Sequence, residues 1–241
     1  MNPNQEIIRE ILEKRGITGA ETQAEFLAET PKLAYAPTLL TNMDKGVDRL
    51  LQAIDAGKRI VIYGDYDADG VTSTVVLLKI LRCLTDNITY YIPSRIAEGY
   101  GLHNESIDRI REEGGEFIVT VDCGSSSPDE IAYARSLGID MVVTDHHNMK
   151  DEPVNELIIN PRAPGDTYPF KGLAGVGVAY KLGLAVSRKR EIPRRVISEV
   201  LEFVAIGTIA DIMPLLDENR SFVKYGLKWI NRGCRNPGLR R

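Results

Sequence analysis

Cysteine is scarce. Only Cys83, Cys123 and Cys234 occur in 241 residues, far apart and without a C-x-x-C pair. That pattern excludes a disulfide framework and a thiolate zinc site, and it fits a reducing compartment. Aromatic residues are few, 7% with Trp229 the single tryptophan, so an extended base-stacking surface of the single-strand-binding kind is not expected. No run of the sequence approaches the roughly 18 apolar residues of a membrane span. The start, MNPNQEIIRE, places no cationic segment ahead of an apolar one, so no secretory signal is expected. Internal repeats and low-complexity segments are missing too, and the net charge of −4 argues against a general nucleic-acid coat protein. A soluble cytoplasmic protein is the expectation.

What is present is an ordinary globular composition, 43% hydrophobic and 27% charged, enough for one large domain with an extension. Ile7, Ile8, Ile11 and Leu12 fall at helical spacing in 5–15, and Val47, Leu50, Leu51 and Ile54 do so in 43–56. Residues 30–42 read as looser chain. Residues 1–45 are expected to form a helical extension, 46–218 the main domain, and 219–241 the start of a connecting helical region. From residue 59 onward, short β-rich runs (59–64, 87–92, 116–121, 139–144 and 157–160) alternate with expected helices at 71–84, 104–113 and 128–137. The stretch from 174 to about 232 reads as helical. Continuous apolar strands separated by helices predict an α/β fold with a parallel β-sheet flanked by helices. Late basic residues, SRKREIPRR among them, are open to two readings, solvated helix faces or phosphate contacts.

In RIVIYGDYDADG, three aspartates crowd into five residues at the end of the first strand: Asp65, Asp67 and Asp69. A calcium loop is excluded, because its twelfth position is Val76 and a strand, not a helix, precedes it. One aspartate could cap the following helix, but three exceed that need. Asp122 follows the third strand in VTVDCG, and Asp145, His146 and His147 follow the fourth in VVTDHH. Parallel sheets place ligands at the carboxyl ends of their strands, so these groups are expected to share one rim. A lone Asp122 would read as a helix cap; beside the others it reads as a ligand. Oxygen donors with one or two imidazoles suit Mn²⁺, or Mg²⁺ with fewer nitrogens. An acidic pocket of this kind would hold two cations about 3.5–4 Å apart, the spacing used to activate water against a phosphate.

GDYDADGVTST, VTVDCG, VVTDHH and VAIGTIADIMPL resemble the four motifs of the DHH phosphoesterase superfamily. IPSRIAEGYGL, IINPR and GLAGVGVAYKL resemble in particular the RecJ single-strand DNA exonucleases. The resemblance runs from about residue 22 to the end of the chain. It implies metal roles for Asp67 and Asp69 at different ions, with Asp122 bridging and His146 and Asp211 completing the ligands of the second ion. Asp65 would lie at or beside the first ion, and His147 would steady charge on the scissile phosphate. Asp211 enters only through the resemblance; unaided, it reads as a surface or capping residue. Pyrophosphatases of the superfamily carry a histidine four residues before the aspartate equivalent to Asp67; Tyr63 stands here, which points away from pyrophosphate.

Arg95 could grip a phosphate in a bidentate manner or form a surface ion pair. Gly172, Gly175 and Gly177 lead into a helix, and either backbone contacts to an anion or close helix packing would explain them. RecJ proteins continue into further domains, so this chain reads as a catalytic core. The resemblance implies a Mn²⁺- or Mg²⁺-dependent enzyme degrading single-stranded DNA in the 5′-to-3′ direction to mononucleotides, with single-strand-binding protein and a helicase as partners. Two alternatives are a phosphodiesterase for oligonucleotides or cyclic dinucleotides, and a non-catalytic binding module of the same fold.

Overall fold

Burial on both faces decides the centre of the fold. Every residue of β1 (Ile60–Gly64) and β3 (Phe117–Val121) is buried, which requires a sheet covered on both sides. With β2 (Ile88–Tyr91), β4 (Asp140–Thr144) and β5 (Ile158–Ile159), they form one sheet in the order β2-β1-β3-β4-β5, every pair parallel. Successive side chains point to opposite faces. Ile60, Ile62, Val119, Val121 and Val142 therefore enter one core, and Val61, Tyr63, Ile118, Met141 and Val143 the other. The structure, a computed structural model, describes residues 3–29, 35–149, 157–234 and 236–240.

The helices are α1 (Pro3–Lys14), α2 (Ala20–Leu27), α3 (Met43–Asp55), α4 (Ala68–Leu81), α5 (Asn104–Glu112), α6 (Pro128–Ser136), α7 (Gly175–Lys189), α8 (Arg194–Glu199), α9 (Leu201–Ala210) and α10 (Asp217–Asn231). Leu50 of α3, Leu77 and Ile80 of α4, Leu182 of α7 and Val204 of α9 fill the first core; Ile107 and Ile110 of α5 and Ile131 of α6 fill the second. Each such side chain contributes about 1.5–3 kcal/mol on burial. Gly57, Gly114 and Gly138, at φ 70°, 83° and 78°, follow the last turns of α3, α5 and α6. Each is the left-handed stop that ends a helix and lets the chain drop into β1, β3 or β4. These three turns lie on the rim opposite the loops that carry Asp65, Asp122 and His146.

Several boundaries differ from the sequence reading. The helix expected at 71–84 starts at Ala68, because Asp67 caps it by accepting the Gly70 N–H at 2.9 Å. In α1, Leu12 is buried while Ile7, Ile8 and Ile11 stay exposed, so the expected apolar face is not covered as a whole. α2 was not foreseen; none of its residues is buried, which leaves no apolar period to read. The divisions expected at 45/46 and 218/219 fall inside α3 and α10. Met43 and Val47, on either side of the first, enter the same core. Of the looser stretch 30–42, residues 30–34 lie outside the described residues. Three residues of the late basic run form surface ion pairs: Lys189 with Asp48 at 2.7 Å, Arg190 with Asp55 at 2.7 Å and Arg195 with Glu199 at 2.6 Å. No helix among the described residues is long and apolar enough to cross a membrane.

Candidate metal centre at the carboxyl rim

The order β2-β1-β3 means that the chain winds one way from β1 and the other way from β3. Between two such strands the following loops part, leaving a crevice at their carboxyl ends. Asp65 leaves β1 into this crevice and Asp122 leaves β3 into it, both buried. Asp67 caps α4 and is exposed. Asp69, in the first turn of α4, accepts the Gly175 N–H at 2.7 Å and the Val176 N–H at 2.9 Å. The N-terminus of α7, with its free N–H groups and positive dipole end, is thus spent on holding Asp69. His146 follows β4, and Asp211 lies at the C-terminal end of α9.

These groups converge. His146 Nε2 lies 3.1 Å from Asp122 Oδ1, 3.6 Å from Asp211 Oδ2 and 3.8 Å from Asp69 Oδ2. Three sets of side chains bring one donor atom each within 4.8 Å of one another: Asp65 with Asp67 and Asp122, Asp69 with His146 and Asp211, and Asp122 with His146 and His147. Asp122 belongs to two of the sets. Asp65 Oδ1, Asp122 Oδ1, His146 Nε2 and Asp211 Oδ2 are buried without a hydrogen-bond partner. Buried polar atoms are ordinarily paired; four orphans aimed into one crevice fit a divalent cation bound by hard oxygen donors and an imidazole.

The electrostatics agree. Burial pushes Asp69 up to about 7 against the pull of the Val176 and Gly175 N–H groups, and the Asp211 charge adds to the rise. Burial, then the charges of Asp69 and Asp67, holds Asp122 well above the usual carboxylate range. Asp65 and Asp211 are raised as well, burial first in both. His146 is pushed down to about 4 by burial and by the neighbouring His147. The ring is therefore neutral near pH 7, with a lone pair free to serve as a ligand.

A second cluster fixes His147. Asp145 Oδ1 accepts the backbone N–H groups of His146 at 2.7 Å and His147 at 3.1 Å, and faces His147 Nδ1 at 2.7 Å; Asp145 Oδ2 accepts the Ser125 N–H at 2.9 Å. Burial alone would raise Asp145, but the His147 hydrogen bond and charge and these N–H groups hold it below its ordinary value. The same bond, ahead of the opposing effect of burial, raises His147. Asn160 donates to the His147 carbonyl and to Ser125 Oγ, both at 2.9 Å. Tyr100 places its hydroxyl 3.0 Å from His147 Nδ1. Partial burial, then Asp145, Cys123, Asp122 and Asp65, raises that phenol, which sets it within the field of the acidic cluster.

The sequence reading set Asp145 on the rim without a role of its own and missed Tyr100 and Asn160. An aspartate bonding backbone N–H groups two residues on is a local signal that could have found Asp145. Tyr100 and Asn160 reach His147 across 47 and 13 residues, which no local pattern encodes. Arg95 is exposed, with its guanidinium 5.5 Å from the centre of the Tyr66 ring, and makes no ion pair among the described residues. Gly175 and Gly177 are set by packing, and the Gly175 N–H is not open to an anion. The Gly175 N–H is taken by Asp69, and a Cβ there would lie 2.3 Å from Asp122 Oδ1. Gly177 is buried against Leu173. Close packing accounts for both.

Residues 59–208 match the family model described as DHH family, N-terminal domain. The single-stranded-DNA-specific exonuclease RecJ of Bacillus subtilis is 44% identical over 227 residues, covering 94% of this chain and 28% of that protein. A crystal structure of exonuclease RecJ bound to manganese superposes with a TM-score of 0.76 at 35% identity, over 86% of this chain and 52% of that one. RecJ from Thermus thermophilus in complex with Mn²⁺ gives a TM-score of 0.76 at 31% identity, over 95% of this chain and 32% of that one. The chain thus spans well under two thirds of the length of the relatives it resembles. Because the family model takes in more than half of the chain, from Asp65, Asp67 and Asp69 through Asp122 to His146 and His147, the chain belongs to the DHH family.

Proposed function

We propose that this chain is the catalytic core of a two-cation phosphodiesterase that hydrolyses single-stranded DNA from the 5′ end and releases mononucleotides. The observation that carries the reading is Asp122, a buried carboxylate shared by two sets of metal-ready side chains. Similarity to proteins called single-stranded-DNA-specific exonucleases, some solved with manganese, supports the choice of substrate and ion. Asp65, Asp67 and Asp122 would hold one Mn²⁺ or Mg²⁺ ion; Asp122, Asp69, His146 and Asp211 would hold the other. Bound there, the ions supply activation of water and neutralisation of phosphate charge. In hydrolysis a water oxygen bonds to phosphorus while the bond from phosphorus to the 3′ oxygen breaks, and that oxygen leaves with a proton.

His147 acts on the substrate. With Nδ1 turned to Asp145, its Nε2 is left to face a non-bridging phosphate oxygen and to stabilise the charge that develops there. Arg95, without an ion pair on the loop above, would contact a neighbouring phosphate. The intact donor set counts against a non-catalytic binding module, since a module that only binds has no use for it. The test is Mn²⁺-dependent degradation of a 5′-labelled oligonucleotide, single- and double-stranded, with a dinucleotide and a cyclic dinucleotide alongside. Labelled mononucleotide appearing first from the single strand alone supports the reading. Faster turnover of the short substrates moves it to the oligonucleotide alternative, and calorimetry that detects no Mn²⁺ binding overturns it.

A further inference from the structure

We infer that Tyr100 is a further catalytic residue, its phenolic O–H donating to a non-bridging oxygen of the scissile phosphate beside His147. The inference rests on the phosphodiesterase reading. It starts from hydrogen-bond accounting at one nitrogen. His147 Nδ1 lies 2.7 Å from Asp145 Oδ1 and 3.0 Å from the Tyr100 hydroxyl. A ring nitrogen carries at most one hydrogen. Asp145 is an anion already fixed by three backbone N–H groups, so it takes that hydrogen over the more distant neutral phenol. With that hydrogen in place Nδ1 has no lone pair left, so the Tyr100 hydroxyl cannot donate to it. Its own hydrogen must point elsewhere, and a phenol remains a donor at neutral pH.

The loop is built to present that hydroxyl. Tyr100 stands between Gly99 at φ 84° and Gly101 at φ 95°, a pair of left-handed residues that reverses the chain on either side of it. The Gly101 carbonyl is fixed by the buried Tyr63 hydroxyl at 2.9 Å. Tyr63 is thus the position where pyrophosphatases of the superfamily carry histidine, and here it braces the loop that bears Tyr100. Two residues before Tyr100, Glu98 accepts from Ser94 N–H and Ser106 Oγ, both at 2.7 Å, and from the Tyr91 hydroxyl. The Tyr100 ring meets His147 edge-on, with centroids 5.4 Å apart, yet 48% of the residue stays exposed. A side chain tied at both flanks, resting against the catalytic imidazole and open to solvent, is placed to meet the same phosphate.

The competing role is structural, with the ring merely bracing His147. Tyr100→Phe separates the two, because phenylalanine keeps the ring contact and loses only the hydroxyl. Turnover of an oligothymidylate with Mn²⁺ is measured together with calorimetric Mn²⁺ titration. In Y100F, kcat is expected to fall about a hundred- to a thousandfold, as for loss of one transition-state donor, with KM and Mn²⁺ affinity unchanged. Sulfur in place of the contacted non-bridging oxygen slows the parent enzyme and is expected to slow Y100F less. Parent-like kcat in Y100F, a sulfur penalty of full size, or a lost Mn²⁺ affinity overturns the role of Tyr100 while leaving the phosphodiesterase reading standing. A parent chain that binds Mn²⁺ but cleaves nothing overturns both.

Discussion

Asp122 adopts φ 63° and Ile212, next to Asp211, adopts φ 55°. The left-handed region is tolerable for aspartate but costly for a β-branched residue, and Ile212 is 89% exposed with no burial to offset it. Backbone held this way beside two acidic side chains of the crevice is stability given up for placement. Asparagine tolerates the same conformation as aspartate, so Asp122→Asn removes the charge without adding strain, whereas alanine would mix the two effects. D122N is expected to lose Mn²⁺-dependent cleavage by about two to three orders of magnitude. Its metal-free thermal midpoint should equal or exceed that of the parent, because like charges are no longer crowded. A midpoint lower by several degrees would mean that the carboxylate stabilises the fold, not only the ions. At this scale the sequence was legible where the crevice groups are local: Asp65, Asp67, Asp69, Asp122 and His146 each follow a strand within a few residues. Asp211 was legible only by resemblance, because it reaches His146 from the far end of a helix 65 positions later.

α7 joins the candidate metal centre to the back of the molecule. Its first N–H groups hold Asp69, and further along it carries Lys181, fully buried and paired with Glu218 of α10. Lys181 also donates to the Tyr35 carbonyl at 2.7 Å, while Glu218 accepts the Tyr35 N–H at 2.8 Å and the Tyr168 hydroxyl. Burial holds the Lys181 ammonium below its usual range, so the pair relies on those partners. Lys181→Met leaves Glu218 charged and uncompensated, and about 3–5 kcal/mol of stability should be lost in urea titration. Cleavage at saturating Mn²⁺ should survive in the fraction still folded. At the other end of α7, Gly175→Ala pushes a methyl toward Asp122 Oδ1. A fall in Mn²⁺ affinity of about tenfold or more is expected by calorimetry, in the range of changes that misplace a ligand. The glycines before and inside α7 were legible as a cluster, but nothing in their spacing told an anion site from a helix seated against a carboxylate.

Across the whole molecule, short continuous apolar runs alternating with helices made the parallel sheet legible, and with it the rim where the acidic groups gather. Strand order was not legible, because it depends on which helices cover which face. The acidic rim also couples stability to pH. Asp69 passes from 3.8 in the unfolded chain to about 7 in the folded one, and Asp122 moves the same way. The folded state thus holds protons that the unfolded chain has released, and that stabilisation is lost as pH rises through this window. The metal-free protein should melt lower at pH 8 than at pH 5. Saturating Mn²⁺ should reverse the trend, raising the midpoint most at pH 8, where the ligands are deprotonated; a metal-free midpoint that climbs with pH would contradict the assignment. The turns at Gly57, Gly114 and Gly138 face the other way, with open space where a side chain would be. A fluorophore, an affinity handle or a surface tether grafted at Gly114 or Gly138 would hang from the blind side of the sheet, and a polynucleotide could thread the crevice without ever touching it.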